Sequence, residues 1–152
     1  MVNSRAKGAI GENKVKEYLD ANTPHTFERT PGSGSGKIKG DLWIKDRKNV
    51  FCIEVKNYAE APNFTASLVN KTNDFVLWWT KLQKQAGTQR PLLIFKYNRS
   101  KLFVATDIKP ANVEKYIDIP WLGCYVLLLS EFIEKEEIKW LHLPQKAPPN
   151  TM

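Results

Sequence analysis

Apolar positions recur along the chain with two different periods, and the change from one period to the other predicts which segments are helices and which are strands. Residues 4–21 carry apolar side chains at helical spacing, and Pro24 would end that helix. Residues 74–86 repeat the spacing and are followed by Gly87, which is typical of a helix C-terminus. Two amphipathic helices are therefore expected.

Six shorter runs rich in apolar residues predict strands. They lie at residues 25–30, 41–45, 50–56, 92–97, 102–106 and 125–129. A polar turn at 46–49 would join the second and third runs into a hairpin, and residues 107–120 are expected to form a loop or short helix. Ser130 is expected to cap a short acidic helix after the last strand. This order predicts an α/β fold in which helices cover the faces of a mixed β-sheet.

The length of 152 residues fits one domain, expected at residues 1–143, with a disordered tail at 144–152. The sequence shows no secretory signal and no apolar run long enough to span a membrane, so a cytoplasmic protein is expected. Cys52 and Cys124 both lie in apolar runs, which predicts buried free thiols and favours a reducing compartment.

Basic residues outnumber acidic ones, 23 against 16, which gives a formal net charge of +7. Such an excess favours a polyanionic partner such as nucleic acid. Many basic proteins bind no DNA, however, so the position of the charges matters more than their sum.

The chemistry is expected on the predicted hairpin. Glu54 and Lys56 are two residues apart in a strand and therefore share a face. If the strands pair around the turn at 46–49, Asp41 falls near Glu54, and two carboxylates converge at one end of the sheet. Mg²⁺ prefers oxygen ligands of this kind, and the lysine could orient a water or stabilise added charge on a phosphate.

A simpler interpretation is that Asp41, Glu54 and Lys56 form a solvated cross-strand charge cluster, since Glu-x-Lys is common by chance. Two observations favour a functional site. Glu54 lies inside the apolar run FCIEV, where a carboxylate is costly unless something requires it. Asp41 follows a Gly- and Ser-rich loop that carries Lys37 and Lys39, which suits the approach of a backbone to phosphate.

Four motifs in order resemble the PD-(D/E)xK nucleases and, within them, the archaeal-type Holliday junction resolvases, which also occur in phages. They are RAKGAIGE at 5–12, RTPGSG at 29–34, GDL at 40–42 and IEVK at 53–56. The resemblance continues through WWTKLQKQA and PLLIFK and so covers about residues 4–105. The sequence departs from the family at Gly40, where a proline is usual, and at Val55, where many relatives have cysteine.

The resemblance implies a restriction-endonuclease-like fold and a homodimer that cuts opposed strands of a four-way DNA junction, with Mg²⁺ as cofactor and Mn²⁺ as a substitute. It implies that Asp41 and Glu54 bind the metal, that Glu12 completes the site directly or through water, and that Lys56 positions the attacking water. Ser33 or Ser35 would contact the phosphate or tune the site. The remaining implied contacts are to DNA, from Arg5, Lys7, Arg29, Lys37, Lys39 and Gln83.

Two rival functions remain open on the sequence. One is another nuclease of the same superfamily that acts on duplex or flap DNA, and the other is a non-catalytic DNA-binding module that keeps the fold. A histidine metal cluster is disfavoured because His25 and His142 are few and far apart. The segment SGSGK lacks the spacing of a nucleotide-binding phosphate loop.

Overall fold

The computed structural model describes residues 4–31, 38–69 and 73–143. It contains a seven-stranded mixed sheet with helices packed on both faces, which confirms the predicted α/β class. The elements are α1 (Ser4–Asn22), β1 (Glu28–Arg29), β2 (Leu42–Trp43), β3 (Phe51–Tyr58), a 3₁₀ turn (Ala66–Leu68), α2 (Asp74–Ala86), β4 (Arg90–Tyr97), β5 (Phe103–Thr106), β6 (Ile117–Ile119), β7 (Cys124–Leu128) and α3 (Leu129–Lys135).

The strands lie in the order β1-β2-β3-β4-β5-β7-β6. Strands β3 and β4 are parallel, and the other neighbours are antiparallel. Because parallel neighbours cannot be joined by a tight turn, the chain crosses from β3 to β4 through α2. This crossover lays α2 over the strand that carries Glu54 and Lys56.

The alternation of side chains along the central strands divides the core into two layers. In β4, Leu92 and Ile94 pack with residues of α1 and α3, whereas Leu93 and Phe95 pack with residues of α2. Both faces of β4 are therefore buried, which explains its continuous apolar sequence.

Three local predictions were wrong. Residues 107–120 include strand β6, which was not expected because it has three residues and its centre, Asp118, is exposed. Ser130 is not a cap, because α3 begins at Leu129 directly from β7 and its first turn has no side-chain cap. Strand β2 is shorter than expected, since the chain turns away after Trp43 towards Asp46, whose φ is 57°.

The two cysteines behave as predicted. Cys52 and Cys124 are buried free thiols, and burial raises their pKa to about 11 and about 12 respectively. The predicted tail at 144–152 lies outside the described residues. Among the described helices, none combines the length and apolar character that a membrane span requires.

Candidate active site

The hairpin of β2 and β3 brings Asp41 and Glu54 together as the sequence predicts. Leu42 pairs with Ile53, so Asp41 lies opposite Glu54 in the antiparallel register. The Asp41 amide donates to the Ile53 carbonyl at 2.6 Å, and its Oδ2 accepts the amide N–H of Val55 at 2.8 Å. Backbone contacts therefore fix the position of the Asp41 carboxylate at the start of β2.

Gly40 allows this close approach. Its φ is 85°, and a Cβ there would lie 2.6 Å from the Ile53 carbonyl oxygen. Proline is confined to φ near −65° and L-residues with side chains rarely reach this region, so glycine is required. The departure from the usual proline is thus a consequence of how this chain enters β2.

Lys56 lies beside Glu54 and over the ring of Trp78. Its Nζ is 3.7 Å from Glu54 Oε1 and 5.7 Å from the ring centroid of Trp78. Trp78, from α2, stacks on Tyr58 with 3.9 Å between ring centroids. Because a carboxylate and a tryptophan face both restrain the ammonium, Lys56 is held at the site rather than extended into solvent.

Glu12 reaches the same region from α1. Arg29 Nε, at the end of β1, donates to Glu12 Oε2 at 2.8 Å. The Glu12 side chain is 18% exposed and the Arg29 side chain 49% exposed. Arg29 therefore neutralises a half-buried carboxylate and keeps part of its guanidinium open to solvent.

The three carboxylates influence one another. Burial, together with the charges of Glu54 and Glu12, raises the pKa of Asp41 to about 7, and the Val55 N–H opposes the shift. Burial also raises the pKa of Glu54, and the nearby ammonium groups of Lys56 and Lys81 oppose that shift. Acids that resist ionisation in this way indicate a site with an excess of negative charge.

The side chains form a source of oxygen ligands rather than a finished coordination shell. Across residues 4–31, 38–69 and 73–143, no three His, Cys, Asp or Glu side chains are arranged to hold a metal ion. Glu12 is engaged by Arg29, and one oxygen of Asp41 by the Val55 amide. The donors that these residues offer are carboxylate oxygens, the ligand type that hard cations such as Mg²⁺ prefer. Their positions do not form a coordination shell.

Not every predicted residue joins this group. Gln83 does not: its Nε2 donates to the Leu122 carbonyl at 3.3 Å, beside Trp79, so it faces the turn between β6 and β7. Lys39 lies two residues before Asp41 and is exposed. Several predicted residues cannot be placed, because Ser33, Ser35 and Lys37 lie outside the described residues, as do the side chains of Arg5 and Lys7.

Sequence reasoning missed the contribution of α2. Trp78 and Lys81 are three residues apart and so share a helix face, and that face looks onto Lys56 and Glu54. The spacing of Trp78 and Lys81 could have indicated this shared face. It was not noticed because the neighbouring Trp79 and Leu82 define the buried face of the same helix.

Comparisons with known proteins identify a matching family, a similar phage protein and a solved structure with a similar fold. A family model described as "Phage putative PDDEXK endonuclease" matches residues 3–139, a range that includes all the side chains of this group. Protein D14 of Escherichia phage T5 is 33% identical over 123 residues, which cover 74% of this chain and 76% of that protein. Among solved structures, Archaeoglobus fulgidus Hjc, a Holliday junction resolvase from an archaeal hyperthermophile, aligns with a TM-score of 0.45 and 16% identity over 81% of this chain and 89% of that one.

Proposed function

This chain belongs to the phage PDDEXK endonuclease family, and on that premise we propose that it is a Mg²⁺-dependent, structure-selective nuclease that resolves four-way DNA junctions. The observation that carries the proposed chemistry is the meeting of Asp41 and Glu54 beside Lys56. The ordered motifs over residues 4–105, which resemble those of archaeal-type Holliday junction resolvases, support the junction as substrate.

Asp41 and Glu54 would hold the metal, and Glu12 would complete its surroundings directly or through water. The raised pKa of Asp41 and of Glu54 supports this assignment, since a divalent cation would relieve the crowding of negative charge. When bound, Mg²⁺ supplies positive charge at the scissile phosphate and lowers the pKa of water; Mn²⁺ would serve as a substitute.

Lys56 would act on the scissile phosphate. Its ammonium lies 3.7 Å from Glu54 Oε1, so it is next to one proposed ligand and can reach an oxygen bound there. In that position it would orient the attacking water and offset the charge that develops on the phosphate. Trp78 would limit the orientations of the lysine and keep it directed at the site.

DNA binding would use the basic residues around this group. Arg29 is half exposed beside Glu12, and Lys39 is exposed beside Gly40, so each can meet a phosphate next to the carboxylates. Lys81, on the α2 face that looks onto Glu54, would bind a phosphate on the other side. Arg5, Lys7 and Lys37 are proposed contacts from the sequence, with Ser33 or Ser35 at the phosphate.

A homodimer is part of the proposal. Two copies related by a twofold axis would match the near-twofold symmetry of a four-way junction and would place two sites on opposed strands. Recognition would then depend on branched shape rather than on base sequence, and the many phosphate contacts would make binding strongly salt-dependent.

The decisive experiment compares cleavage of a synthetic four-way junction with cleavage of a linear duplex, each with Mg²⁺ and with EDTA. We expect paired nicks in opposed junction strands with Mg²⁺ only. Asp41→Asn should abolish cleavage and keep junction binding, whereas the control Asp118→Asn, at an exposed carboxylate of β6, should cut normally. Equal cleavage of duplex would exclude junction selectivity, and binding without any cleavage would indicate a non-catalytic module.

A further inference from the structure

A cavity lined by cationic side chains lies on the same hairpin as the carboxylate group. A cavity of about 340 Å³ opens between the β2–β3 turn and the end of α2, and its described lining contains no acidic side chain. The lining includes three cations and an aromatic wall, namely Lys39, Arg47, Lys48 and Trp43, together with His142. None of these residues except Lys39 belongs to the DNA contacts that the sequence implies.

The turn that presents the two central cations is internally braced. Asn49 is 8% exposed, its Oδ1 accepts the Ile44 N–H at 2.8 Å, and its Nδ2 donates to the carbonyls of Ile44 and Arg47, each at 2.9 Å. From the other side, the His142 amide donates to the Lys48 carbonyl at 3.0 Å. The backbone under Arg47 and Lys48 is therefore fixed before any ligand arrives, which lowers the entropy lost on binding.

One wall of the cavity shares a face of the hairpin with the carboxylates, because Trp43 follows Asp41 by two residues. Phe51, at the start of β3, also lines the cavity but belongs to the opposite layer of the core. It precedes Glu54 by three residues of regular strand, a separation of about 10 Å, so the cavity lies close to the carboxylate group along the hairpin.

We propose that this cavity binds a backbone phosphate of the DNA strand close to the scissile phosphate. Arg47 and Lys48 supply the charge, Lys39 bridges the cavity and the carboxylate group, and Trp43 packs against the sugar. The inference rests on the proposed function, because it needs DNA to be the ligand of the neighbouring site. It adds a second point of attachment that sets which way the strand runs across the hairpin.

The test uses two double variants that each remove two exposed cations. Arg47→Ala with Lys48→Ala, the cavity variant, removes two of the cations that line the cavity. The control, Lys101→Ala with Lys115→Ala, removes equal charge before β5 and before β6, towards the opposite edge of the sheet. Binding of a labelled junction is measured by fluorescence anisotropy in EDTA over a range of salt, and melting temperatures confirm that both variants fold.

Loss of one phosphate contact lowers the slope of log K against log salt by about 0.9, so the wild-type dissociation constant should rise roughly three- to fourfold more than that of the cavity variant between about 50 and 200 mM salt. The control variant should follow the wild type. Wild-type binding with equal loss in both double variants would overturn the cavity proposal alone. Absence of wild-type DNA binding would overturn the proposed function as well.

A free anion is the other source of the same chemistry. The wild type is titrated in a calorimeter with inorganic phosphate and with deoxynucleotide monophosphate. Both should bind far more weakly than the junction. Tight phosphate or nucleotide binding that disappears in the cavity variant, with junction affinity unchanged, would show that the cavity serves a free ligand and would overturn the proposal.

Discussion

Replacing Asp41 with asparagine should stabilise the metal-free protein even though it removes the proposed chemistry. The pKa of Asp41 is raised from its ordinary value of 3.8 to about 7 because burial and two neighbouring carboxylates disfavour its ionised form. Each pH unit in that interval corresponds to about 1.4 kcal/mol, so ionisation opposes folding by at most about 4 kcal/mol above pH 7. Asparagine has the same shape and can still accept the Val55 N–H.

The measurable gain is smaller than this limit. Glu54 can adjust its own protonation when Asp41 is replaced, and the half-buried site retains contact with water, so a gain of about 1 to 3 kcal/mol is expected. For a domain of this size, that gain corresponds to a rise in melting temperature of about 2 to 10 °C. The appropriate assay is differential scanning calorimetry in EDTA at pH 8, with Asp118→Asn as the control for loss of an exposed charge.

The sign of the pH dependence provides a second check. A carboxyl whose pKa is raised in the folded state binds its proton more tightly there than in the unfolded chain, so it opposes folding increasingly from about pH 4 upwards and fully above pH 7. The advantage of Asp41→Asn should therefore shrink from pH 8 to pH 5. A variant that is no more stable than the wild type at pH 8 in EDTA would refute the conclusion that Asp41 is electrostatically destabilised.

Three further predictions follow from single contacts. Gly40→Ala should lower the free energy of unfolding by about 2 to 4 kcal/mol in urea titrations, because its Cβ would strike backbone. Gly87→Ala carries the strain of a positive φ but meets only the flexible end of a lysine, so it should cost less, about 1 to 2 kcal/mol; equal losses would contradict this account. Native Cys52 and Cys124 should react with a thiol reagent only on unfolding, so rapid labelling of folded protein would show that they are accessible. Trp78→Ala should reduce kcat for junction cleavage about tenfold with little change in KM, and Trp78→Phe should restore most of the rate; an effect on KM alone would exclude a positioning role.

The parts of the molecule that sequence could predict are those set by local interactions. Helix α2 has the predicted bounds because its start and end are both local: Asn73 accepts the Phe75 N–H, and Gly87 ends the helix at a φ of 59°. The juxtaposition of Asp41 and Glu54 was predictable for the same reason, since the turn between β2 and β3 is short and the alternation of side chains fixes which of them share a face.

The parts of the molecule that the sequence could not predict depend on how distant helices and strands pack. The pairing of Arg29 with Glu12 requires the relative position of α1 and β1, which no periodicity encodes. Gln83 was assigned to the site from the resemblance, yet it follows Trp79 by one helical turn and so faces the β6–β7 turn. Membership of the PD-(D/E)xK superfamily was predicted correctly because its motifs are ordered and local, whereas junction selectivity stays a prediction.

The charges at the carboxylate group explain why a cation and DNA should depend on each other there. Arg29, Lys56 and Lys81 already act on the carboxylates, so an incoming phosphate has to share their positive charge with those carboxylates. Without a metal, the group can reduce its negative charge by protonating Asp41, which its raised pKa permits near neutral pH. A divalent cation offsets the carboxylates and the phosphate together, because each negative group lowers the free energy of the bound cation. The crowding of carboxylates that destabilises the metal-free site would therefore also make the binding of metal and DNA cooperative.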